Sequence, residues 1–142
     1  MKQLYEVGFV FRGFVLSKHQ FKKPPILENG KGDKDLRGAF ISAINSFAYE
    51  AFMNTSIEYL EMDNYLFIFK IESIKTLFNE KKEPIILYGL TEKTRNPDRF
   101  VRKFFEKTEP ILQNFIQRYS GTDFTELNKF ESYNDELKEF FD

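Results

Sequence analysis

Apolar positions along this chain follow two periods, one near two residues and one near 3.6, and the switches between them mark the elements. Leu4 to Phe11 is apolar or aromatic on both parities, interrupted by Glu6, and reads as a strand. Arg12-Gly13 turns the chain, and Phe14 to Phe21 returns as a more polar hairpin partner. Lys22 to Lys34, with Pro24-Pro25, Gly30 and Gly32, reads as a loop. Thr55 to Met62 is a mixed third strand, Asp63-Asn64 a tight turn, and Tyr65 to Ile71 its apolar return. Ser73 to Glu83 reads as a polar connection, and Pro84 to Leu90 as a fifth strand apolar on both faces. Asn96-Pro97-Asp98 opens a helix that Pro110 is expected to kink or divide. After Ser120-Gly121, Thr122 or Asp123 is expected to cap a last helix carrying Phe124, Leu127, Phe130, Leu137 and Phe141.

The long helix of the first half, Asp35 to Phe52, is preceded by Asp33 and Asp35 as capping candidates. At helical spacing, Leu36, Phe40, Ala43, Ile44, Phe47 and Ala51 share one stripe, widened by Ile41, Ala48 and Phe52. The remaining arc holds Gly38, Ala39, Ser42, Asn45, Ser46, Tyr49 and Glu50, with a single charge, in a chain that is 30% charged. Two explanations stand side by side: the arc is covered by a loop, or its small residues admit another helix or chain.

Strands one, four and five are apolar on both faces, as central strands of a covered sheet are, while strands two and three carry charges and read as edges. The expected fold is therefore α/β, in the α+β sense. It is a three-layer α-β-α sandwich on a five-stranded antiparallel sheet, with helix one on one face and two C-terminal helices on the other. Residues 1–142 are expected to form one domain.

Composition narrows the function classes. A net charge of −1 lacks the basic excess of an electrostatically driven nucleic-acid binder. Without cysteine there is no disulfide framework, thiolate metal site or redox centre. The opening run alternates like a strand rather than a signal peptide, and no stretch approaches the ~20 apolar residues of a membrane span, so a cytoplasmic location is expected. Eighteen phenylalanines exceed what one small core obviously needs, which leaves some for an interface or simply reflects AT-rich coding.

Candidate chemistry is sparse. His19 is the only histidine and has no spaced partner for acid–base or metal work. Gly30-Lys31-Gly32-Asp33-Lys34 lacks the spacing of a phosphate loop. Glu58 and Glu61 fall on opposite faces of a strand. Lys18, Lys22, Lys23, Lys31 and Lys34 make the second strand and its loop locally basic, suited to solvent, an acidic partner or a lipid head group. No enzymatic activity, cofactor or metal is expected.

The element order resembles the longin domain, whose sheet has the order 2-1-5-4-3. The texture of GFVLSKHQF, GAFISAINSFAYEAF and IEYLEMDNYLFIFK is similar to archaeal longin/roadblock-like proteins, and the likeness covers nearly the whole chain. A roadblock domain proper begins with a helix, whereas this chain begins with a strand, and there is no heptad-repeat SNARE segment. The resemblance implies a binding module: a subunit of trafficking complexes, or a platform or regulator for small Ras-like GTPases. It also implies pairing with a second copy or a related longin/roadblock subunit, and admits peripheral membrane recruitment. The implied partner-binding face comprises Gly38, Ile41, Ser42, Asn45, Ala48, Tyr49 and Phe52, with a groove towards the third strand. A profilin-like or PAS-like sensory domain that binds a small ligand is the alternative.

Overall fold

The computed structural model describes residues 3–23, 38, 41–46, 58–62 and 64–142. Five strands form one antiparallel sheet: β1 (Leu4–Phe11), β2 (Phe14–Gln20), β3 (Tyr59–Met62), β4 (Tyr65–Thr76) and β5 (Asn79–Glu92). Their order is β2-β1-β5-β4-β3, so the two charged strands are the edges and the three apolar ones lie inside, as their patterning requires. Helical residues 38 and 41–46 (α1) pack on one face. On the other lie α2 (Pro97–Tyr119), a short 3-10 turn (Leu127–Phe130) and α3 (Tyr133–Phe141).

Alternation of side chains divides the strands between two cores. Phe9, Leu66, Ile68, Ile85 and Leu87 point to α2 and α3, while Val10, Phe67, Phe69, Ile86 and Tyr88 point to the α1 face. The first core absorbs much of the aromatic excess. Phe9 stacks on Phe115 at 4.1 Å between ring centroids, and Tyr133 meets Phe115 edge-on at 5.0 Å. Four large apolar side chains stand exposed among the described residues: Phe14, Phe21, Leu77 and Phe78.

The β1–β2 turn places Arg12 and Gly13 at φ 51° and 84°. Both values are left-handed, as a two-residue hairpin turn matched to strand twist demands. A register shift opposite Phe9 and Val10 leaves Leu16 as the extra residue, so that Leu16 and Ser17 both face the side of α2 and α3 while Val15 faces α1. The outer edge of β2 is blunted by α3: the Asn134 side-chain oxygen accepts from the Lys18 backbone N–H at 2.9 Å and from the Ser17 hydroxyl at 2.7 Å.

Three sequence expectations are corrected. Ser73 to Glu83 is not a loose connection, because β4 and β5 run on past β1 as a hairpin pairing Ser73 with Pro84, Ile74 with Glu83 and Thr76 with Asn79. Its polar composition reflects a largely wet ribbon whose inward residues are Ile74 and Thr76. Pro84 is tolerated because it lies beyond the last β1 partner, Val10 opposite Ile86, where β5 has a free side. Second, Pro110 does not divide α2, which is continuous from its Asn96 cap to Tyr119. Third, Asp123 does not start a long helix. Its carboxylate accepts from the backbone N–H and the hydroxyl of Thr125 in a local turn, the 3-10 turn Leu127–Phe130 follows, and the α-helix begins only at Tyr133. The proposed caps Asp33 and Asp35 lie outside the described residues.

Candidate functional site

The α1 helix meets the sheet through its small residues. A Cβ on Gly38 would stand 2.7 Å from the Gly13 carbonyl oxygen and 3.2 Å from Val15 Cγ2, so the helix backbone rests directly on the β1–β2 turn. One turn on, Ile41 is completely buried, and Asn45 beyond it is 4% exposed. Ala43 and Ser46 face outward. The helix is therefore rotated from the expected orientation, in which Ala43 and Ile44 led the buried stripe. Gly38 and Ile41 of the expected partner face are packed against the sheet, and Asn45 is buried with its side chain on the groove beside the β4–β5 hairpin. Ser42 remains half-buried at the rim. Ala48, Tyr49 and Phe52 lie outside the described residues, as do the Gly30–Lys34 loop and the far part of the expected groove.

A groove of about 550 Å³ opens beside this rim, on the side of the β4–β5 hairpin rather than of β3. Ser42, Asn45 and Ser46 form one wall, Ser73 and Lys82 belong to the hairpin opposite, and Arg12 closes the end. The Asn45 side chain donates to the Ile41 carbonyl at 3.1 Å, and its buried Oδ1 has no hydrogen-bond partner among the described residues. A buried acceptor without a donor is uncommon, and this one is closed off from solvent. At the end wall, the Arg12 guanidinium forks onto the Glu83 carboxylate, with Nε and Nη2 at 2.9 and 2.7 Å. That fork holds the Glu83 carboxyl below its ordinary range, against the opposing effect of burial. It also pins Arg12 in its left-handed conformation. The two charges cancel, so the groove wall presents hydroxyls and amides more than net charge.

A second polar cluster lies on the same sheet face. Glu6, fully buried in central strand β1, accepts from the Tyr88 hydroxyl, and Lys18 Nζ stands 3.9 Å from its other oxygen. Gly8 makes room for it: a Cβ there would come within 2.7 Å of the Tyr88 ring. The one polar residue in an otherwise apolar strand was a visible signal of this cluster, although its partners could not be read from spacing.

The remaining candidates are dispersed. His19 is half-buried on β2 and meets Phe21 edge-on at 4.6 Å. Glu61 lies 3.9 Å from Lys93, whereas Glu58 precedes β3 and is exposed. Of the basic group, Lys18 faces Glu6, and Lys22 pairs with Glu92 at 2.9 Å over the Tyr5 ring, so much of the local positive charge is compensated. Among the described residues, no three acidic, cysteine or histidine side chains gather as a metal site, and no helix is long and apolar enough to cross a membrane. No family model matches this chain, and no curated protein or solved structure matches it either.

Proposed function

We propose that this chain is a longin-like, non-catalytic interaction module of the cytoplasm. In this reading it serves as a subunit or platform for small Ras-like GTPases or trafficking-type complexes, paired with a second copy or a related subunit. The observation that carries the reading is the topology. A β2-β1-β5-β4-β3 antiparallel sheet, with one helix on one face and a helix pair on the other, has the layout that the sequence resemblance implies. The exposed arc of α1 at Ala43 and Ser46, together with Ser42 at the rim, supplies a weakly charged surface of small residues suited to close approach.

Light scattering on the purified chain across a concentration series tests the pairing. A species of twice the 17.0 kDa chain mass, reduced to monomer by Ser46→Arg with the circular dichroism unchanged, supports it. A dimer unaffected by Ser42→Arg and Ser46→Arg removes this face from the interface. Capture of small GTPases by the native chain but not by the arginine variants tests the second part.

The groove favours a second reading, a sensory domain that takes a small polar molecule. Its volume lies in the range of ligand pockets, and Ser42, Asn45, Ser46 and Ser73 line it. Native mass spectrometry of the freshly purified protein discriminates the two. A bound small molecule lost in Asn45→Leu favours the sensory domain, and an empty chain that still pairs favours the module.

A further inference from the structure

The β4–β5 hairpin ends in a feature that no packing argument requires. Leu77 and Phe78 form its two-residue turn, between the paired Thr76 and Asn79, and are 56% and 78% exposed. Turns of this length ordinarily take Gly, Asn or Asp, because those residues adopt the needed backbone or bond to it. Here both positions carry large apolar side chains. Neither has a positive φ, and the irregular register between Ile74 and Thr76 absorbs the mismatch with the strands.

The tip is anchored from behind. The Leu77 N–H donates to the Thr122 carbonyl at 2.9 Å, and the Gly121 N–H donates to the Lys75 carbonyl at 2.7 Å, which ties the hairpin to the end of α2. Ile74 and Thr76 are buried, and the Arg12 fork clasps Glu83. Leu77 and Phe78 are thus held out into solvent rather than folded back onto the protein. Lys75, Lys81 and Lys82 lie on the strands that lead into the tip, Lys82 also at the groove, all exposed and without an ion-pair partner among the described residues. Glu80 is the single free carboxylate between Lys75 and Lys82, while Glu83 is neutralised by Arg12 and Asp123 across the junction is engaged by Thr125.

We propose that this hairpin tip is a docking finger for an anionic lipid surface. Leu77 and Phe78 enter the boundary between head groups and acyl chains, and the three lysines bind the phosphate and carboxylate groups above it. The order of the chemistry, apolar outermost and cationic immediately behind, matches the order met on approaching an anionic bilayer from its interior outward. Two apolar side chains make a shallow anchor, so docking is reversible and weakens with salt.

The chain contains no tryptophan, so Phe78→Trp places a single emission reporter at the tip. Vesicles of phosphatidylcholine alone, and of phosphatidylcholine with phosphatidylserine, are the probes. The expected result is a blue shift with the serine-containing vesicles only, with emission quenched by lipids brominated in the acyl chains. The double variant Leu77→Ser/Phe78→Ser, at two exposed turn positions, is expected to lower vesicle partitioning about tenfold or more. Replacing Lys75, Lys81 and Lys82 by Ala is expected to lower it by a similar factor. Emission that does not change with either vesicle overturns the proposal, as does vesicle binding equal in the native chain and the double serine variant. A shift produced only by an added protein, with vesicles inert, assigns the tip to a protein pocket and also overturns it.

Discussion

The ring of Phe104 occupies the space that a side chain on Gly89 would need, with Phe104 Cζ 2.8 Å from where a Cβ would stand. Gly89 lies in central strand β5 and Phe104 is completely buried on α2, so this contact sets how closely the helix layer approaches the sheet. Gly89→Ala is expected to destabilise the fold by about 1–3 kcal/mol through overpacking, measured by urea unfolding. Phe104→Leu in the same chain should recover part of that loss. A strictly additive double-mutant cycle would show that the two positions do not compete for space.

On the opposite face, the Tyr88 hydroxyl donates to the buried Glu6 carboxylate, above the space that Gly8 leaves open. Tyr88→Phe removes a donor from a carboxylate that remains buried, and is expected to cost about 1–3 kcal/mol. Chemical denaturation at neutral pH checks this. A variant as stable as the native chain would mean that the hydroxyl contributes nothing there.

The Arg12–Glu83 fork gives stability a dependence on acid. The Glu83 carboxyl lies lower in the folded chain than its ordinary value of 4.5, chiefly because it accepts from Arg12. Its contribution is therefore fully present above pH 4.5 and is lost as the pH falls through the folded value. Arg12 is half exposed, so solvent screening limits the effect to about 0.5–1 kcal/mol. Glu83→Gln should lower stability by that amount near pH 7 and narrow its difference from the native chain in acid, as read from thermal unfolding across pH 3–7.

Pro110 is exposed in the interior of α2 and cannot donate a backbone N–H there. The carbonyl that loses its helical donor is that of Glu106, four residues earlier. Just before it, the Thr108 hydroxyl donates to the Phe104 carbonyl at 2.7 Å and Lys70 Nζ to the Phe105 carbonyl at 3.0 Å. Lys70 also pairs with Glu109, which bridges sheet and helix at this point. Pro110→Ala is expected to stabilise the chain by about 1–3 kcal/mol, measured as a raised unfolding midpoint.

Period and turn chemistry made much of the fold legible. Leu4–Phe11, the Arg12-Gly13 turn and the Asn96-Pro97 helix start all appear where local residues specify them. Which strands lie at the edges follows from which are apolar on both faces, and the order β2-β1-β5-β4-β3 is the one that the resemblance implies. The hairpin extension was not legible, because the polar texture of Glu80-Lys81-Lys82 is common to loops and wet ribbons. Only the pairing of the flanking residues Asn79 and Glu83 with β4 distinguishes the two. The rotation of α1 escaped for a different reason. Gly38 turns toward the sheet because it lacks a side chain, a property that a count of apolar residues scores as nothing. The groove is assembled from Arg12, Asn45 and Lys82, residues far apart in sequence, and no local pattern announces such a meeting.

The central position of β1 beside β5 shapes how the chain reaches its native state. Leu4 pairs with Thr91 and Val10 with Ile86, so during synthesis β1 waits for a partner about eighty residues later. Its β2 neighbour covers one edge early and Ile41 of α1 joins Val10, but Phe9 stays uncovered until α2 emerges. Closing so long a loop places the fold among slow, non-local topologies, with refolding in the range of milliseconds to seconds. A chain stalled before Asn79 carries an apolar strand without its central partner, and is the species to which chaperones would bind during synthesis.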